Sequence, residues 1–251
     1  MTIKKHIPNS LTLLNLFCGC CGIVFCLYNQ YQYVPYLIFT ALLADFLDGF
    51  VARALKVKSD LGAQLDSLAD MTTFGVLPSV MMLMLLQLLE KNNQLAFEIN
   101  SSNDTTQVIF SYIALLSFIY AICACLRLAK FNIDTRQTVN FIGVPTPAGA
   151  MFILGIYANY FSQNALFNFI YQQWFLIIST ALISLLMISE LSLFSLKGNP
   201  FNYKENKLRF VFLILCIPQI FIFKWLGLST IILSYILFSI IDFYTTKKQT
   251  S

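Results

Sequence analysis

Apolar residues fall along this chain in long blocks separated by short polar stretches. The blocks run at approximately 10–28, 34–54, 62–89, 107–128, 146–163, 168–190, 209–223 and 227–245. About 20 such residues carry a helix across the hydrocarbon core of a bilayer. Lipid offers the backbone no hydrogen-bond partners, so each span must satisfy its own. Barrel strands would alternate polar and apolar residues, which these blocks do not. The pattern therefore predicts an all-α fold, a polytopic membrane helix bundle of about eight transmembrane helices. The third block is long enough to tilt or to project from the membrane. The seventh is short and interrupted by Pro218.

Composition agrees with this reading. Of 251 residues, 58% are hydrophobic and 11% charged, too little polar surface for a soluble domain. A net charge of +4 is too small to point to nucleic acid, and the placement of the charges says more. With eight spans and the N-terminus inside, fourteen of the 16 basic residues fall on the cytoplasmic side, leaving only Lys91 and Lys224 outside. That asymmetry puts both termini in the cytoplasm. The seven cysteines all lie within apolar runs, away from the lone His6, and read as small packing residues rather than metal ligands. The start "MTIKKHIPNS" leads into a span with no small-residue cleavage site and reads as lacking a removable signal peptide.

Two blocks break the apolar rule. In "DFLDGFVARALKVKSDLGAQLDSLAD", Asp45, Asp48, Gly49, Ala52 and Arg53 share one helical face, and Gly62, Asp66 and Asp70 recur every fourth residue on the next helix. The short connector makes those helices antiparallel neighbours, so both faces converge beneath the cytoplasmic interface. Asp66 and Asp70 would lie roughly 6–12 Å along their helix at 1.5 Å per residue. A carboxylate near mid-bilayer costs about 2.5–3.5 kcal/mol, and four together repel one another in a low dielectric. Only Arg53 lies within the cluster to compensate. An all-oxygen donor set suits hard divalent cations, so Mg²⁺ or Mn²⁺ is expected, with two ions fitting phosphoryl chemistry. Carboxylates lining a cation-coupled transporter's path are the competing reading, but such a path gives no reason for Gly49, Ala52, Arg53 and Gly62 at this spacing. A non-catalytic lipid-binding scaffold is a third, disfavoured by the intact ligand set.

The stretch resembles, position for position, the CDP-alcohol phosphatidyltransferase signature D-x2-D-G-x2-A-R-x8-G-x3-D-x3-D. The resemblance implies transfer of a phosphatidyl-type group from a CDP-linked lipid to an alcohol, with release of CMP. It implies that Asp45, Asp48, Asp66 and Asp70 hold two divalent metals and that Asp70 is also the general base. Nucleotide-lipid contacts are implied for Gly49, Arg53 and Ser59, with Ala52 and Gly62 part of the same signature, and, from "PNSLT", for Asn9 and Thr12. A homodimer and a multi-pass location with a cytoplasm-facing site, in a bacterial inner membrane, are the family expectations. The resemblance also divides the chain into a six-span core, 1–190, and a connector with two further spans, 191–251.

Three later stretches, "RLAKFN", "FIGVPTPAGA" and "LMISELSLFSLKG", resemble segments of the family's membrane-embedded phosphatidylserine-forming branch. The expected partners are thus CDP-diacylglycerol, L-serine and membrane lipid; glycerol phosphate, inositol phosphate or choline are the alternative acceptors. Lys130, Val144 and Phe194 stand where that branch has Arg, Leu and Tyr. Arg127, with Lys130 or Arg136, is a candidate partner for the serine carboxylate, though all three also read as positive-inside anchors.

Overall fold

The computed structural model describes residues 6–57, 59–92, 111–134, 141–162, 168–194 and 207–249. Helix α1 (His6–Leu27) is followed by a 3₁₀ turn, Tyr31–Tyr33, that leads into α2 (Val34–Ala54) with Pro35 in its first turn. A left-handed residue, Lys56 at φ 54°, ends that arm. Ser59 then caps α3 (Asp60–Asp70) by accepting the Gly62 N–H at 3.0 Å, a side-chain cap that satisfies one otherwise orphaned donor. Helix α3 passes without a loop through a six-residue π turn, Met71–Val76, into α4 (Leu77–Asn92). The apolar helix Asp60–Glu90 is 31 residues long, or about 46 Å at 1.5 Å per residue. That exceeds a hydrocarbon core of about 30 Å, so the long third block does tilt or project.

After α5 (Phe118–Ile133) come α6 (Thr146–Phe161), α7 (Gln173–Ile188), α8 (Lys207–Phe223) and α9 (Leu226–Gln249). Each expected block contains helix over most of its described residues (107–110 and 163 lie outside those), but the helices differ in reach. Five of them, His6–Leu27, Tyr31–Ala54, Asp60–Glu90, Tyr112–Ile133 and Leu226–Phe243, are long and apolar enough to cross a bilayer. Helices α6 and α7 have 16 residues and α8 has 17, about 24–26 Å of rise, just short of the hydrocarbon thickness. Helix α8 is not broken at Pro218 as its sequence implies: it runs through the proline. Proline costs one backbone bond, which neighbouring helices re-satisfy in membranes. Next to the proline, the Gln219 side chain ties α8 to α9 by donating from Nε2 to Ser234 Oγ at 3.0 Å.

The core lies along α4 and α6, where Leu77, Met81, Met82, Leu85, Ile153 and Leu154 are wholly buried. Phe17, Phe46, Leu182 and Phe221 face outward on the surrounding helices. A soluble protein would not expose so much large apolar surface; lipid requires it. Helix α9 docks on α6 through Ser229 Oγ, which donates to the Phe152 carbonyl at 2.6 Å, and Gly155 leaves the room for that approach. Helix α9 is therefore packed onto the preceding bundle, and α8 packs on α9.

Two short strands, β1 (Phe141–Ile142) and β2 (Ser192–Leu193), pair antiparallel with Phe141 opposite Leu193 and Ile142 opposite Ser192. They join the entry of α6 to the exit of α7. Gly143 closes the junction at φ 72°, donating its N–H to Leu191 O at 2.9 Å, and a Cβ there would run into the Met187 carbonyl. Gly143→Ala is expected to destabilise the protein by about 1–3 kcal/mol, read as a lower Tm in detergent. An unchanged Tm would show that the junction bears no such constraint.

Candidate active site

Helices α2 and α3 both pack on α1 and only weakly on each other, short of the close antiparallel pair the connector implies, yet their acidic side chains converge. Oxygens of Asp45, Asp48 and Asp66 all lie within 4.8 Å of one another. Asp70, one turn deeper along α3, lies outside that set of three but close enough to Asp45 and Asp66 for their charges to interact. Helix α1 contributes the first polar partners. Thr12 Oγ1 donates to Asp48 Oδ2 at 2.5 Å, and three residues on, Asn15 Nδ2 donates to Asp70 Oδ1 at 3.2 Å. Thr12, Asn15 and Asp48 are buried.

Two ionised carboxylates at that separation repel by about 3.5 kcal/mol for an effective dielectric near 20, and here several pairs act together. The two hydrogen bonds from α1 do not offset this. A divalent cation would, and the residues fit one. The donors are all carboxylate oxygens drawn from two rigid helices, and Asp66 Oδ1 is buried without a hydrogen-bond partner among the described residues. An oxygen-only set of this kind suits hard cations such as Mg²⁺ or Mn²⁺.

Around the carboxylates sit the other residues singled out in the sequence. Gly49 and Ala52 are half-buried and Arg53 is exposed. The Arg53 guanidinium folds back over Gly49, where a Cβ would stand 3.5 Å from Nη1. Gly62 lies beneath two polar side chains: a Cβ there would be 2.9 Å from Ser59 Oγ and 3.1 Å from Asn9 Oδ1. The Ser59 hydroxyl is engaged as the cap of α3 and Thr12 with Asp48, contacts that the sequence does not reveal.

Arg127 is 8% exposed, a rare condition for a cation in an apolar bundle. Its Nη1 donates to Thr146 Oγ1 at 3.3 Å and its guanidinium stands 5.7 Å from the centre of the Phe131 ring. Asp70 is close enough to interact with its charge, and its Nε is buried without an acceptor among the described residues. Lys130 is exposed one turn further on, and Arg136 lies outside the described residues. Asn132 donates from Nδ2 to Ser67 Oγ at 2.9 Å, tying the end of α5 to α3 beside the acidic group.

Three features of the site escape a reading of the sequence. Asn15 carried a usable signal, a lone amide within "TLLNLFCG", since polar groups inside a span mark function. Thr146 and the π turn carried none that spacing alone could expose.

The fold and the site define a membrane helix bundle with an acidic centre, and residues 5–186 match the CDP-alcohol phosphatidyltransferase family. The chain belongs to that family. It is 33% identical over 188 residues to a CDP-diacylglycerol–serine O-phosphatidyltransferase of Bacillus subtilis (strain 168), covering 74% of this chain and 89% of that protein. It is 34% identical over 192 residues to one of Mycobacterium leprae (strain TN), covering 74% and 57%. A third, from Methanocaldococcus jannaschii, is 36% identical over 157 residues, covering 61% of this chain and 62% of that protein. The chain thus spans less than two thirds of the length of the latter two. Helices α8 and α9 lie beyond the residues that match the family.

If the carboxylates hold a cation, adding Mn²⁺ to metal-stripped protein in detergent raises its Tm, and Asp66→Asn removes most of that rise. A metal-independent Tm for both would leave the acidic group without a counterion.

Proposed function

We propose that this enzyme transfers the phosphatidyl group of CDP-diacylglycerol to the hydroxyl of L-serine, forming phosphatidylserine and CMP. The observation that carries the reading is the convergence of Asp45, Asp48 and Asp66 beside Asp70 with the family signature intact. The serine acceptor rests on the relatives' names and on the later segments around Arg127, Gly143 and Phe194.

Asp45, Asp48, Asp66 and Asp70 would hold one or two divalent cations. When bound, these would neutralise the diphosphate and polarise the phosphorus under attack. The remaining roles belong to the chain. Arg53, exposed beside Gly49, donates to the nucleotide diphosphate, and its planar fork suits phosphate oxygens. The small Gly49 leaves the backbone open to that group, and Asn9 with Gly62 borders it on the facing helix. Asp70 accepts the proton of the serine hydroxyl as its oxygen attacks the phosphorus attached to diacylglycerol. The phosphorus–oxygen bond to CMP breaks, and CMP leaves with the electron pair. Proton and charge balance: the serine proton ends on Asp70 and the negative charge on CMP.

Arg127 is the residue best placed to hold the serine carboxylate. It is buried, its Nε is unspent, it stands near Asp70, and Thr146 fixes one end of its guanidinium. Lys130 and Arg136 come after it on the cytoplasmic side in the orientation that the basic residues favour. An interfacial site of this kind suits a donor whose headgroup is in water and whose tails stay in lipid.

Purified protein with CDP-diacylglycerol, L-serine and Mn²⁺ should release CMP, and release with glycerol 3-phosphate, inositol phosphate or choline in place of serine should be negligible. Preference for another alcohol would reassign the acceptor while keeping the family reaction. Asp70→Asn should lower turnover by about 10²–10⁴-fold, the range of a lost general base, while CDP still raises its Tm. Near-normal turnover in that variant would deny Asp70 the proton.

A further inference from the structure

Asn15 has no role in the family signature, yet it lies fully buried in the apolar run of α1 with both its side chain and its backbone committed to the helix that carries Asp70. Its Nδ2 donates to Asp70 Oδ1 at 3.2 Å, and its own carbonyl accepts from Thr73 Oγ1 at 3.0 Å. One residue of α1 is thereby bound at two points, i and i+3, of the continuous helix running from α3 into the π turn. Such a pair fixes both the depth and the rotation of Asp70 relative to α1. The two backbones come close enough because Gly19, one turn beyond Asn15, rests on Thr73: a Cβ there would be 3.0 Å from the Thr73 Cα.

The orientation of the amide is set by its partner. Asn15 turns its NH₂ group toward Asp70, whose Oδ1 accepts from it. Its Oδ1 is then left buried with no donor among the described residues. Most buried amides are paired at both ends. This one spends its donor on Asp70 alone, occupying Oδ1 of the carboxylate and leaving Oδ2 for other partners.

We propose that Asn15 is a positioning residue for phosphatidyl transfer, clasping Asp70 through one oxygen so that the other faces the incoming hydroxyl. This rests on the reading of Asp70 as the proton acceptor. Thr73 is the second half of the clasp, holding the main chain of Asn15 in place.

Three variants test it: Asn15→Leu, which removes the donor; Asn15→Asp, which keeps the shape and replaces the donor by an acceptor; and Thr73→Val, which keeps the volume and loses the second bond. Hydrogen bonds that orient ligating carboxylates typically govern activity by about 10–100-fold. The expected result is a fall of that size in kcat for Asn15→Leu and Asn15→Asp. KM for both substrates should stay within about threefold, because ground-state binding is untouched. The rise in Tm on adding CDP should persist. Thr73→Val should lose less, in the same direction. Unchanged kcat in either Asn15 variant overturns the proposal. So does a joint loss of kcat, Tm and the CDP-induced rise, which marks a packing role. If Asn15→Leu does not fold, Asn15→Asp decides by the same criteria. Wild-type protein that releases no CMP with any acceptor overturns the functional reading itself, a failure distinct from that of the clasp.

Discussion

Like charges held together in a poor solvent for charge are the constraint around which this molecule is organised. Asp45, Asp48, Asp66 and Asp70 gather where two helices meet, and nothing about a lipid-embedded bundle favours that. The arrangement persists because the carboxylates sit on regular helices held by their own backbone bonds and by α1, which lines the group with Thr12 and Asn15. Rigid elements make better platforms than loops for groups that would otherwise move apart. The repulsion that makes the cluster costly is the same interaction that a positive charge placed among the carboxylates would relieve.

The π turn reconciles two demands on one helix. Residues 60–70 must turn an acidic face toward α2, whereas α4 must bury an apolar surface in the core. A straight helix carries one phase along its length. A wide turn inserts extra backbone and re-phases the residues beyond it, and such turns occur often at functional sites. This one is pinned from both sides: Thr73 Oγ1 donates to the Asn15 carbonyl, and Tyr120 OH donates to the Phe74 carbonyl at 3.1 Å. Tyr120 also reaches the Thr146 carbonyl at 3.3 Å, so the partner of Arg127 is joined to the same turn. The acidic group and the buried cation are thus parts of one hydrogen-bonded frame.

Much of this is legible in the sequence, and the misses have physical causes. The carboxylates can be placed because spacings of three and four residues read directly as helix faces. Helix ends are harder, because apolar composition does not mark where a helix stops. The apolar pattern ends the fourth block near residue 128, where Arg127 and Lys130 resemble an exit from lipid; α5 continues to Ile133, with Arg127 folded inward onto Thr146. The sixth block begins at residue 168 by composition, but its first residues form a 3₁₀ turn, Asn168–Tyr171, and the helix stops at Ile188 where the chain swings toward β2. Strands of two residues leave no alternating pattern to detect. Asn15 stands out as a lone amide in an apolar run, but its partner lies 55 positions away and no spacing rule connects the two.

Because α3, the π turn and α4 form one unbroken rod, the two carboxylates it lends to the site, Asp66 and Asp70, have no flexible joint of their own. Any twist that substrate imposes at Asp66 or Asp70 must be absorbed where the backbone ladder already runs wide, or else be transmitted the full length of the rod to its far end. The place where that ladder widens is also the place that α1 and α5 hold between them, through Thr73 and Tyr120.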